Sequence, residues 1–127
     1  MPTRRTFLLA LPAIAFPPVL PQQSPVALQH ATAVPGPDLP ALEVEYPRAV
    51  DLRVRYVSRA GCGNRGREET VEAEVPAGAA GVVLGGRRYE LRQFHFHTPS
   101  EHTLDGRHAP LEQHFVHAGP GGEALVI

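Results

Sequence analysis

The sequence lacks tryptophan and has a single cysteine, Cys62. One thiol excludes an internal disulfide. There is no basic run: 12 Lys and Arg stand against 13 Asp and Glu, for a formal net charge of −1. That balance predicts no nucleic acid or other polyanion as partner. No apolar run is long enough for a bilayer-spanning helix, and no repeat, heptad or convincing amphipathic helix is found. With 127 residues, the chain has room for one small domain.

Proline and glycine are plentiful instead, at 14 and 12 residues. They cluster at the start and between segments, the pattern of turns and short strands rather than long helices. The start also has an export pattern. "TRRTFLL" (Thr3 to Leu9) sets adjacent arginines before an apolar run to Phe16. It resembles a bacterial twin-arginine signal, and Ala13-Ile14-Ala15 offers a small-x-small cleavage site. Residues 1–15 are therefore expected to be a signal peptide and 16–127 the domain, with a periplasmic or secreted location.

After an irregular, proline-rich lead-in to Pro40, polar and apolar residues alternate as they do in half-buried strands. "ALEVEYP" (41–47), "VDLRVRYVS" (50–58) and "TVEAEVP" (70–76) do so, with a loop expected at 59–66. Residues 82–98 predict a short strand, a Gly-Gly turn and a longer strand. Residues 110–118 predict the next strand, followed by a glycine-rich turn and a last strand begun at "EALVI". The class is mainly β, with an antiparallel sheet. A strand cut at Ile127 would leave an exposed edge, so the sequence reads as the first part of a larger fold.

Six of the seven histidines lie between Gln93 and His117. Side chains alternate across a strand, so Gln93, His95 and His97 share one face and Phe94 and Phe96 the other. In "LEQHFVH", Glu112, His114 and Val116 share a face. If these strands are antiparallel neighbours, His114 joins His95 and His97. Three imidazoles with a fourth position open suit a catalytic zinc, with copper, nickel, cobalt and iron as alternatives. Gln93 and Glu112, each two residues before a histidine, are placed to accept its second ring N–H. His102 is expected to be a structural hydrogen-bonding histidine, His108 to be exposed and His117 to face away; His30 is assigned no role.

The pattern "QFHFH…SEHTLDG…LEQHFVH", with "GRRYELRQFHFH" leading into it and "QSPV" at Gln23 to Val26, resembles the α-class carbonic anhydrases, most like the bacterial branch. The resemblance implies a large, twisted, mostly antiparallel sheet of that type, present here only in part, with Zn2+ held by His95, His97 and His114. It implies that Gln93 and Glu112 orient His95 and His114. Glu101 matches a glutamate that orients a threonine hydroxyl, and Val116 and Val126 match the walls of the carbon dioxide pocket. The implied reaction is reversible hydration of carbon dioxide to bicarbonate and a proton, by attack of zinc-bound hydroxide.

The chain departs from this family at three places. It ends before the T-T-P-P region that supplies the threonine. The aromatic segment before Q-S-P is absent. The N-x-G-H shuttle motif appears as "NRGR", with Arg67 at the histidine's place, so the proton shuttle is unassigned; arginine stays charged and cannot relay protons. A truncated, weakly active zinc-binding remnant is the alternative expectation. A cupin-like metalloprotein is a third, since His95, His97 and Glu101 fit the first cupin motif. No second cupin motif follows.

Overall fold

The computed structural model describes residues 25–60 and 66–127. The expected signal peptide, Gln23 and Ser24 of the Q-S-P motif, Cys62, and Asn64 and Arg65 of "NRGR" lie outside the described residues.

Among the described residues, ten strands and one short 3-10 helix (His30–Thr32) follow in order. They are β1 (Ala27–Leu28), β2 (Leu42–Glu45), β3 (Arg53–Ala60), β4 (Arg67–Glu74), β5 (Gly81–Leu84), β6 (Arg87–His97), β7 (Thr103–Leu104), β8 (Arg107–His108), β9 (Glu112–Ala118) and β10 (Ala124–Val126). The mainly-β expectation holds. A seven-stranded antiparallel sheet runs β10-β9-β6-β4-β3, with β5 joined to β6 and β2 to β5. A smaller sheet, β1-β7-β8, contains the one parallel pairing among the described residues. The lead-in is thus tied down more than its composition indicates. Asp105 accepts from the His30 backbone N–H at 2.9 Å and lies 2.6 Å from its Nδ1.

The expected Gly-Gly turn joins β5 to β6. Gly85 and Gly86 have φ of 58° and 75°, the left-handed backbone that a two-residue hairpin turn requires and that glycine adopts without a Cβ clash. β4 begins three residues earlier than the alternation indicates. Arg67, Glu68 and Glu69 are polar, yet they pair in register with Ala60, Arg59 and Ser58.

β6 is central. One edge pairs with β9; the other pairs first with β5 and then with β4. The β6–β9 register skips between Leu91 and Gln93: Leu91 opposes His117, while Gln93 opposes Val116. The extra residue, Arg92, forms a bulge that reverses the alternation. Leu91 therefore lies on one face with Phe94, Phe96 and His117, and Gln93 on the other with His95 and His97.

The phenylalanine face is an aromatic cluster. Phe94 lies 6.0 Å from Phe96 and 5.6 Å from Phe115, and Tyr46 lies 5.8 Å from Phe115. Each such pair contributes about 0.5–1.5 kcal/mol beyond the area buried. Phe94, Phe96 and Phe115 are only half-buried, because they are covered chiefly by one another and by Tyr46. Among the described residues, the buried apolar ones are Ala73, Ala80, Val82 and Leu91.

His117 is enclosed on this face, 1% exposed. Its Nδ1–H donates to Phe115 O at 3.1 Å and Leu125 O at 3.3 Å, and Tyr46 Oη–H donates to Nε2 at 2.9 Å. Burial lowers its pKa against the raising effect of the two carbonyls. Folded His117 therefore stays neutral to lower pH than in the unfolded chain, which takes up a proton as pH falls through 6.5. The unfolded state binds more protons in that window, so acidification destabilises the fold. We expect urea midpoints to fall from about pH 8 to about pH 5, and His117→Gln to fall less steeply. Parallel slopes would rule out His117 as a source of the acid sensitivity.

Candidate metal centre

The antiparallel register sets His95 opposite His114 and His97 opposite Glu112. Directly opposed side chains share a face, so the strand parity expected from the sequence brings three imidazoles together. Ring centroids lie 4.9 Å apart for His95–His97, 5.4 Å for His95–His114 and 4.4 Å for His97–His114. Each ring offers a nitrogen, and these three atoms lie within 4.8 Å of one another. His95 and His97 are buried and His114 nearly so.

Each ring is held by an acceptor. His95 Nδ1–H donates to Gln93 Oε1 at 3.0 Å, and His114 Nε2–H donates to Glu112 Oε1 at 2.5 Å. Both partners are the ones expected two residues upstream. His97 Nδ1–H donates to Glu68 Oε2 at 2.8 Å, a partner not anticipated. These bonds leave His95 Nε2, His97 Nε2 and His114 Nδ1 as the lone-pair nitrogens, because a neutral imidazole donates from one nitrogen and accepts at the other. His97 Nε2 is buried and has no hydrogen-bond partner among the described residues. A buried nitrogen lone pair facing two further imidazoles fits a divalent metal and is costly without one.

Glu112 serves two histidines. Its Oε1 also lies 2.8 Å from His102 Nδ1, and its Oε2 accepts the His102 backbone N–H at 3.0 Å. Burial raises the Glu112 pKa, but the bonds from the His102 ring, the His102 backbone and the His114 ring outweigh it and hold the carboxyl at about 2. Glu112 is thus an ionised acceptor at neutral pH. His102 is tied to Glu112 by its ring and its backbone. His108 is exposed, with Nδ1 2.7 Å from Ser100 O.

Glu101 is buried at the edge of the centre. Its Oε1 lies 3.5 Å from His97 Nδ1 and its Oε2 3.9 Å from His114 Nε2. It forms a possible ligand group with Glu68 and His97, but among the described residues no such group joins it to His95. Val116 and Val126 oppose each other across β9 and β10, which puts both on the histidine face; Val126 is 49% exposed.

Two acids on this face were given no role by the sequence: Glu72, inside the expected strand 70–76, and Glu68, just before it. Glu72 opposes His95 and accepts from Arg55 Nε and a terminal Arg55 nitrogen at 3.2 and 2.8 Å. Glu68 lies four residues upstream on the same strand face. The spacing 68, 70, 72, 74 was the available signal, obscured by assigning 59–66 to a loop and starting the strand at Thr70.

Residues 19–122 match the family described as eukaryotic-type carbonic anhydrase. A carbonic anhydrase of Neisseria gonorrhoeae is 38% identical over 83% of this chain and 36% of its own length. The α-carbonic anhydrase of Thermovibrio ammonificans, solved with sulfanilamide, superposes with a TM-score of 0.64 at 36% identity, over 82% of this chain and 40% of its own. Dioscorin, solved with ascorbate, superposes equally well at 0.64 and 30% identity, over 82% of this chain and 39% of its own. The chain therefore spans well under half the length of these relatives. The fold, the match across most of the chain and the identity to the gonococcal protein together show that this chain belongs to the eukaryotic-type, or α, carbonic anhydrase family.

Proposed function

We propose that the chain binds one zinc ion through His95, His97 and His114, and that this centre serves reversible hydration of carbon dioxide to bicarbonate. The observation that carries the reading is the buried Nε2 of His97, without a partner among the described residues, beside two imidazoles whose other nitrogens are tied to acceptors.

When bound, zinc supplies a Lewis acid that lowers the pKa of a coordinated water to about 7. Gln93 and Glu112 fix which nitrogen of His95 and His114 is free to ligate. Val116 and Val126 supply an apolar wall suited to carbon dioxide. Glu101, fully enclosed beside two of the rings, presents a carboxylate able to accept a proton from a hydroxyl in the site. The arginines and apolar run at the N-terminus support export; mass spectrometry of the protein from its own cells should find a new N-terminus after Ala15, and an intact Met1 would oppose this.

His114→Ala should lose stoichiometric zinc, measured by atomic absorption after dialysis; unchanged metal content would remove His114 from the centre. Glu112→Ala should weaken zinc binding by about 10–100-fold. Glu101→Gln separates the readings: zinc content should stay while carbon dioxide hydration, followed by stopped flow, falls. Loss of metal in that variant would favour the cupin-like centre.

A further inference from the structure

His97 poses a problem that His95 and His114 do not. Those two are held from within their own strands, by residues two positions upstream on the same face. Two positions before His97 stands His95, itself a candidate ligand. The same-strand device is unavailable, so an acceptor for His97 must come from elsewhere.

β4 supplies one. The register of Glu72 with His95 turns the Glu68, Thr70, Glu72 and Glu74 face toward the histidines, because alternate residues share a face. Thr70 fastens the two strands there. Its Oγ1–H donates to Phe96 O at 2.6 Å and its Oγ1 accepts from Phe96 N at 3.2 Å. Glu68, one alternation further, reaches His97 Nδ1 at 2.8 Å. Glu101 is nearby, but its 3.5 Å separation is longer than a charge-assisted N–H···O bond, about 2.7–2.9 Å. The side chains of Glu68 and His97 are mostly shielded from water, which strengthens the bond.

We propose that Glu68 is the positioning residue for His97. It accepts the Nδ1 proton, selects the tautomer with the lone pair on Nε2, and aims that nitrogen at the other two rings. The proposal rests on the zinc reading for its consequence, but the tautomer exists in the metal-free protein and can be observed there. A carboxylate partner also makes the ring a better donor to a metal than an amide would.

Two measurements test it on the full chain. In the metal-free protein, ring nitrogen and proton resonances of His97 should report the Nδ1–H form with a strongly deshielded proton. Glu68→Gln should move that proton upfield, since a neutral acceptor bonds more weakly than a carboxylate. Glu68→Ala should mix the tautomers and weaken zinc binding by about 10–100-fold, with Glu68→Gln recovering part of the affinity. Cobalt substitution should show altered visible absorption in Glu68→Ala, a signature that a merely stabilising residue would not move. If Glu68→Ala does not fold, the Glu68→Gln resonance decides. An unchanged His97 resonance, or unchanged affinity in Glu68→Ala while His97→Ala loses the metal, overturns the proposal and leaves the zinc reading standing. Zinc retained by both His97→Ala and His114→Ala overturns the zinc reading itself, whatever the tautomer.

Discussion

The candidate centre depends on one pairing, His95 against His114 across β6 and β9. Antiparallel strands lock side chains into facing pairs with a period of two, and a slip of one residue turns every side chain to the opposite face. With His95 opposed to His114, His97 necessarily faces Glu112 and Gln93 faces Val116. Three imidazoles, two of their acceptors and one apolar wall residue follow from a single register. The partners on flanking strands, Glu68 and Glu72 on β4 and Val126 on β10, are added by the same rule.

In β6 the histidines are more deeply buried than the phenylalanines that alternate with them. His95, His97, Glu72 and Glu101 are enclosed, while Phe94 and Phe96 are half-covered. Burying so many polar groups is tolerable only where they satisfy one another. Arg55 bridges Glu72 and Glu74, Glu112 binds two histidines, and Glu68 holds a third. The polar network thus does double duty: it stabilises the enclosed acids and it fixes the rings.

Much of this was legible in the sequence, and the reason is periodicity. Alternation located the main strands, the Gly85-Gly86 turn and the two faces of β6. It also selected His95, His97 and His114 and their acceptors Gln93 and Glu112. What it missed has physical causes. Glu68 belongs to a stretch of charged residues, 67–69, with no apolar alternation to mark it as strand; its strand form is imposed by pairing with β3. β1, β7 and β8 are two residues long, too short to show any period. The link from His102 to Glu112 spans two elements and has no local signature. Glu101 was found by motif resemblance, since its position in a bend gives alternation nothing to act on.

The bulge at Arg92 divides β6 into two segments with separate phase. On one side Leu91 and His117 answer to the packed interior; on the other Gln93, His95 and His97 answer to the polar centre. Because the phase change is absorbed at a single residue, the two segments need not obey a common alternation. Substitutions that repack the hairpin end are therefore free to accumulate without rotating the imidazoles. Adding or removing one residue at Arg92, by contrast, would set the two segments against each other. The strand is in effect two modules joined by a one-residue clutch.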